Sequence, residues 1–270
     1  MGIKYCVDEA FFQRWNSTMA YVLGFIYADG SIYRSARGNY LAITSVDKNI
    51  IYSIKRWMKS EHIVAITKPT WPNGKLRYVL RIGNKKLYND LLRLGVYPSK
   101  SLTERMPRIP RKFIKDFVRG NFDGDGCVHL DKSKGKKQKI VLRALLTVFT
   151  SGSKEFLDDL LQILKREMMI KRTKIYDSHR SFQLRLGTAD SVGLFKFMYD
   201  KVPKEFFFSR KYTIFKNYFR LRPQRIDKKV QSILEYAGNG HVAKKLTQRS
   251  AKPLYMGANP IVASRLAINC

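Results

Sequence analysis

The strongest constraint on the fold is that the chain is written twice. The stretch "YVLGFIYADGSIY" (21–33) is answered by "DFVRGNFDGDGCVHL" (116–130). Gly24 corresponds to Gly120, Ala28 to Gly124, Asp29 to Asp125 and Gly30 to Gly126, all at an offset of 96. Further on, "ITS" ending at Ser45 recurs as "FTS" ending at Ser151, and "LRIG" (80–83) recurs as "LRLG" (184–187). Three blocks repeated in one order mark an internal duplication whose period is far longer than that of a solenoid. Thr44 follows Asp29 by 15 positions and Thr150 follows Asp125 by 25, the surplus lying in the lysine-rich "LDKSKGKKQKIV".

Periodicity orders the elements within one copy. "FFQRWNSTMAYVLGFIYADG" reads as a helix capped at Asn16 or Ser17 and stopped at Gly30. "SIYRS" and "NYLAITS" are strands about a turn at Arg37–Gly38, and "DKNIIYSIKRWMK" carries Ile50, Ile51, Ile54, Trp57 and Met58 at helical spacing. "HIVAITK" and "KLRYVLRI" are strands joined by "PTWPNG", and "LYNDLLRLG" is a closing helix. The expected class is α+β, with the order α-β-β-α-β-β-α used twice. Residues 11–95 and 112–222 are the two expected units, 96–111 the linker with Pro98, Pro107 and Pro110, and 223–270 a basic tail. In that tail "KKVQSILEYAGNGHVAKKLTQ" permits two short helices around "AGNG". A loosely ordered tail is the preferred expectation, because no recognition-helix pattern follows Leu246.

Charge names the class of partner. Lys and Arg total 52 against 21 Asp and Glu, a formal net charge of +31. Such an excess repels itself unless a polyanion neutralises it, and nucleic acid comes ahead of an anionic membrane surface. No apolar run reaches the roughly 18 residues of a membrane span. The strand before each LRxG block alternates accordingly. Tyr78, Leu80 and Ile82 point one way and Arg77, Val79 and Arg81 the other; Phe182, Leu184 and Leu186 oppose Ser181, Gln183 and Arg185. One face packs on helices while the other offers Arg and Gln to a nucleic acid. The cysteines (Cys6, Cys127, Cys270) and histidines (His62, His129, His179, His241) show no zinc spacing. The opening "MGIKYCVDEAFF" lacks a signal-peptide layout, so the expected setting is the cytoplasm or nucleoid of a prokaryote, or an organelle-encoded protein, and not secretion.

The two acids need an explanation in so basic a chain. Gly24 and Ala28 lie four apart on one helix, Gly120 and Gly124 on the other, and small residues on a shared face let helices approach closely. If the halves pair through these faces, Asp29 and Asp125 meet at the helix ends. Paired carboxylates repel unless one keeps a proton or a cation lies between them. Beside a phosphate backbone the cation is the natural solution, and Mg²⁺ suits a site with few protein ligands completed by water and phosphate oxygens.

"VLGFIYADG" (22–30) and "VRGNFDGDG" (118–126) resemble the two signature motifs of the monomeric, double-motif LAGLIDADG homing endonucleases, and the resemblance runs over about residues 11–220. It implies a pseudo-twofold monomer with two saddle-shaped antiparallel sheets in the DNA major groove and the motif helices at the interface. It also implies metal-dependent cleavage of double-stranded DNA at a long, near-unique site, leaving short 3′ overhangs. Mg²⁺ is the expected cofactor, Mn²⁺ a substitute, and Ca²⁺ an ion that binds without supporting turnover. The metal-binding acid at the motif's eighth position falls on Asp29 and Asp125, with the backbone carbonyls of Ala28 and Gly124 as further candidate ligands. The sixth position is Tyr27 in one copy and Asp123 in the other; it varies in the family, and Asp123 is not counted as catalytic. The basic residue expected near each scissile phosphate matches Lys100 in "YPSKSLTERMP" and Lys211, with Arg210 beside it, in "FFFSRKYTIFK". Ser45 and Ser151 match a water-ordering polar position. The DNA-binding candidates are Tyr33, Ser35, Arg37, Arg77 and Arg81 in the first copy. In the second they are His129, Lys132, Lys134, Lys174, Gln183 and Arg185.

Other readings stay open beside this one. An intron RNA maturase on the same fold would bind RNA, with or without DNA cleavage, and a non-cleaving DNA-binding regulator would dispense with the acids. "DGDG" is not an EF-hand, since Cys127 and Val128 stand where that loop needs Asn or Asp and Gly. The closing "INC" resembles an intein terminus, but the short stretch before the first motif makes a free-standing protein, with no obligate protein partner, the expectation.

Overall fold

A computed structural model describes residues 5–69, 72, 74–98, 104–134, 140–170, 173–203 and 206–236. The first copy runs α1 (Ser17–Asp29), β1 (Gly30–Ser35), β2 (Gly38–Ser45), α2 (Lys48–Trp57), β3 (Val64–Thr67), β4 (Arg77–Gly83) and α3 (Lys85–Arg93). The second runs α4 (Ile114–Asp125), β5 (Cys127–Lys134), β6 (Ile140–Ser151), α5 (Lys154–Met168), β7 (Ile175–Ser178), β8 (Ser181–Leu186) and α6 (Thr188–Tyr199). The expected α+β order therefore appears twice. Each copy builds a four-stranded antiparallel sheet, β1-β2-β4-β3 and β5-β6-β8-β7.

Local chemistry accounts for the boundaries. The Asn16 side chain accepts from Met19 N at 2.9 Å and caps α1, while Asp47, Asn84 and Ser153 cap α2, α3 and α5. Helix α1 ends where Gly30 turns the chain into β1; a Cβ there would lie 2.7 Å from Ile26 Cα, so only glycine fits. Gly126 plays the same part after α4, against Phe122. The first hairpin turns on Ala36 and Arg37, one residue earlier than the sequence suggested, because Ser35 pairs directly with Gly38.

Helices α1 and α4 occupy the centre. Every residue of α1 from Met19 to Tyr27 is buried. A helix apolar on all sides belongs inside a core rather than on its surface. The core is continuous across both copies. Aromatic pairs cross between them: Tyr27 stacks on Phe156, with centroids 6.0 Å apart, and Trp57 stacks on Phe206 at 5.0 Å.

Two helices follow the second copy. Helix α7 (Ser209–Leu221) buries Lys211, Tyr212, Phe215, Tyr218 and Phe219. Helix α8 (Lys228–Leu234) buries Val230, Ile233 and Leu234 and is tied down by Lys196–Asp227 and Lys229–Asp200 ion pairs. The start of the tail is thus packed rather than loose, because three apolar side chains at helical spacing find a place beside α6. Residues 237–270, which begin with the "AGNG" segment, lie outside the described residues. Among the described residues no helix is long and apolar enough to cross a membrane.

Candidate active site

The site begins with how closely two helices touch. A Cβ on Gly24 would stand 2.1 Å from Phe117 O, and one on Gly120 only 2.0 Å from Tyr21 O. One turn on, a Cβ on Gly124 would lie 2.3 Å from Ala28 Cβ. Helices α1 and α4 therefore meet backbone to backbone along the small-residue faces, and their C-terminal ends arrive together. The Asp29 carboxylate, through Oδ2, comes within 3.5 Å of the Cβ position of Gly124, the neighbour of Asp125. Asp29 is half-buried and Asp125 exposed. The geometry brings these two candidates to one place at the root of both sheets, since β1 and β5 start immediately beyond them.

Lys211 is the third member. Its ammonium group is buried and donates to the carbonyls of Phe122 (2.5 Å), Asp123 (3.0 Å) and Gly124 (3.0 Å) at the C-terminus of α4. A cation suits a helix C-terminus, where the partial negative charge of the last carbonyls gathers; Phe122 O also accepts from Gly126 N at 2.9 Å. Burial pulls the Lys211 ammonium down to about 8. Asp123 pushes it up, Arg210 down, and Asp29 and Asp125 up again, so both motif acids are close enough to act on this lysine. Arg210, the alternative cation, is exposed and lies over the Phe208 ring at 5.2 Å. Lys100 lies outside the described residues.

Asp123 is buried. Its Oδ2 accepts from Tyr21 OH at 2.8 Å and from Phe208 N at 3.0 Å. Burial raises its carboxyl above the usual range, while Lys211, Tyr21, Phe208 N and Arg119 oppose that rise. Its copy-one counterpart, Tyr27, donates to Leu94 O at 2.8 Å.

Strand register sorts the remaining candidates. Ile32, Leu41, Ile82, Leu80 and Ile43 are buried on the helix side of the first sheet. Tyr33, Ser35, Arg77 and Arg81 share the opposite face with Tyr40, on which Tyr33 stacks at 5.3 Å, and Arg37 is exposed in the hairpin turn. In the second sheet His129, Gln183 and Arg185 hold the corresponding face, joined by Tyr176 and, just before β7, Lys174. Arg185 Nε donates to Gln183 Oε1 at 2.9 Å and its guanidinium lies 5.0 Å from the Tyr176 ring centroid. Tyr176 escaped the sequence reading, although strand parity places it there.

Four further candidates lie off that face. Ser45 and Ser151 continue the parity of Leu41–Ile43 and Leu145–Phe149, so they lie on the helix side of their sheets. Their hydroxyl oxygens accept from Asp47 N (3.2 Å) and Ser153 N (3.1 Å), shaping the turns into α2 and α5. Lys132 and Lys134 are exposed but share the parity of Val128 and Leu130, off the face that holds His129. A bulge on β6 at Arg143 shifts the pairing there without changing that parity on β5.

No three His, Cys, Asp or Glu side chains among the described residues converge on a point that could hold a metal ion. Two carboxylates with a main-chain carbonyl nearby still fit Mg²⁺, which takes one or two protein carboxylates and completes its shell with water and substrate phosphate.

A family model described as "LAGLIDADG-like domain" matches residues 16–95 and again 112–196. Among solved structures, the chain is similar to the homing endonuclease I-WcaI bound to its DNA recognition sequence. That match has 15% identity, covers 76% of this chain and 91% of that one, and has a TM-score of 0.52. It is also similar to the LAGLIDADG homing endonuclease I-LtrWI bound to target DNA (13%, 82% and 97%, 0.50) and to the LAGLIDADG meganuclease I-AabMI bound to uncleaved DNA (11%, 87% and 99%, 0.50). At these identities the likeness shows the fold. A probable translation initiation factor IF-2 of Thermococcus kodakarensis is 39% identical over 111 residues, which is 37% of this chain and 8% of that protein's length.

Proposed function

The chain belongs to the LAGLIDADG family, and on that premise we propose that it is a site-specific, double-strand DNA endonuclease of the homing type. The observation that carries this reading is the convergence of Asp29 and Asp125 at the touching ends of α1 and α4, beside Lys211. A protein that only bound DNA or RNA would have no use for two acids placed together under a phosphate backbone. The DNA-bound relatives on the same fold support DNA as the partner.

In this reading the outer faces of the two sheets lie on DNA, and Arg77, Arg81, Gln183 and Arg185 meet base edges. Arg suits bidentate contact with guanine and Gln with adenine. Asp29 and Asp125, with the Ala28 carbonyl at hand, would hold a divalent ion against the scissile phosphates, the Gly124 carbonyl being taken by Lys211. Bound there, the ion supplies Lewis acidity at phosphoryl oxygen and an activated water. Lys211 stands by the acids with its charge held at the end of α4, where it counters negative charge on a phosphate. The α1–α4 contact sets the separation of the acids, so the helices act as the ruler of the site. The test is cleavage of a target-library duplex in Mg²⁺ by the parent and by Asp29→Asn. The expected result is site-specific double-strand cutting by the parent alone; equal cutting by the variant would overturn the assignment.

A further inference from the structure

Asp123 grips the segment carrying Lys211 twice, once through its side chain and once through its main chain. Oδ2 accepts from Phe208 N at 3.0 Å, and the Asp123 carbonyl accepts from Lys211 Nζ at 3.0 Å. Phe208 is the residue from which α7 starts, so the first contact sets where that helix begins, and Lys211 follows three residues later. Arg119 adds a third tie: Nε donates to Phe206 O at 2.9 Å while Nη2 pairs with the buried Asp116 at 2.8 Å. The stretch from Phe206 to Lys211 is thereby docked onto α4 at three points.

The acid is expensive where it stands. A buried carboxylate costs free energy unless it is hydrogen-bonded throughout, and Asp123 Oδ1 has no hydrogen-bond partner among the described residues. The motif helix itself does not require an acid here. At the same position in the first copy Tyr27 serves the helix with a hydroxyl, donated to Leu94 O at 2.8 Å. Space for that hydroxyl is left by Gly95, whose Cβ would come within 2.8 Å of it. What the second copy gains from an acid is an acceptor aimed at the first turn of α7.

We infer that Asp123 is a positioning residue: its grip on Phe208 N sets the place of Lys211 at the second copy's acid, and so governs cutting of one strand. This rests on the endonuclease reading, in which Lys211 serves one scissile phosphate. It also makes the two half-sites unequal by construction, because Tyr27 ties a carbonyl where Asp123 ties an N–H.

Strand-resolved cutting of an end-labelled target duplex tests it. Asp123→Ala is expected to slow one strand by on the order of ten- to a hundredfold, the cost of a misplacement of about 1 Å, with the other strand cut at the parental rate. Asp123→Asn, whose amide oxygen still accepts from Phe208 N, restores most of that loss. Asp123→Leu, matched in branching and heavy-atom count but without an acceptor, gives the same split as alanine and serves if the alanine variant does not fold. Equal slowing of both strands, or no slowing, overturns the inference, since a general loss of structure would not choose a strand. A second readout needs no cleavage. Acetic anhydride labelling of the metal-free, DNA-free chain, read by mass spectrometry, should find Lys211 protected in the parent, in Asp123→Asn and in Tyr21→Phe, and exposed in Asp123→Ala. Unchanged labelling in Asp123→Ala overturns the positioning role whether or not the parent cuts DNA. Exposure of Lys211 in Asp123→Ala, together with a parent that cuts no target, supports the positioning role and refutes the endonuclease reading instead.

Discussion

Adding one methyl group at Gly24 should uncouple cleavage from DNA binding. In Gly24→Ala the new Cβ would stand 2.1 Å from Phe117 O, against the 3.4 Å at which ordinary contact begins. The shortfall is 1.3 Å (3.4 against 2.1 Å), and the obstructing atom is a backbone oxygen that cannot rotate away. The helices must separate or slide. Overpacking of this kind costs about 1–3 kcal/mol and occasionally more, and a backbone obstacle places this site at the upper end. At about 3 kcal/mol the melting temperature falls by roughly 6–12 °C, taking 2–4 °C per kcal/mol for a chain of this order of size. The same movement displaces Asp29 from Asp125, and a displacement of about 1 Å costs on the order of a hundredfold in rate. Binding, carried by the sheet faces, should change only a few-fold. Thermal melting, a gel shift in Ca²⁺ and single-turnover cleavage in Mg²⁺ read the three quantities separately. Gly193→Ala is the control of opposite sign. It lies inside α6, its Cβ would meet only Met168 Cε at an ordinary 3.7 Å, and alanine there should stabilise by about 0.5–1 kcal/mol. Parental melting and cleavage in Gly24→Ala would refute the backbone-to-backbone contact and the role of the helices as the ruler of the site.

Asp29→Asn and Asp125→Asn should each abolish double-strand cleavage in Mg²⁺ while gel shifts in Ca²⁺ stay within a few-fold of the parent, since an amide keeps the volume and loses the charge. DNA affinity should fall about a thousandfold between 50 and 200 mM salt if six phosphates are neutralised, at a slope near 0.9 per phosphate; a nearly flat titration would mean the +31 charge serves another end. Lys211 keeps its proton up to about 10.5 when unfolded but only to about 8 in the fold. Between those values the unfolded chain binds more protons, so the fold gains stability as pH rises, by up to about 1.4 kcal/mol per unit. The metal-free parent should therefore gain on Lys211→Met from pH 8 to 10 in denaturant melts, and a constant difference would show that the ammonium is not buried. Arg185→Ala should relax preference at one or two base positions by about 1–3 kcal/mol. Because Arg185 Nε holds Gln183 Oε1, the Arg185→Ala and Gln183→Ala effects on a target-library profile should fall short of additive; strict additivity would show that the pair reads DNA independently.

The site was legible in the sequence where a short-range rule places a residue, and hidden where only tertiary contact does. That the helix ends carrying Asp29 and Asp125 meet was legible because each acid rides one residue beyond a small-residue pair spaced four apart, and that spacing alone brings α1 against α4. Arg77, Arg81, Gln183 and Arg185 followed from strand parity. The same parity, counted from Ile43, Phe149 and Leu130, sets Ser45, Ser151, Lys132 and Lys134 off the face that holds the arginines. Helix α7 was missed although Tyr212, Phe215, Tyr218 and Phe219 carry its spacing, because the charges among them mask the apolar stripe. Lys211 is the instructive case. In sequence it is one lysine among many in a basic chain, beside Arg210, and net charge treats the two alike. What separates them is that α7 turns Lys211 onto three carbonyls of a helix end 87 to 89 residues earlier, while Arg210 stays in water. The Asp123 contacts, 85 residues from Phe208 and 102 from Tyr21, are hidden for the same reason. A repeat discloses what its two copies share. The sixth motif position, Tyr27 in one and Asp123 in the other, is where they diverge, and the reason for that divergence lies in the segments each copy must hold down.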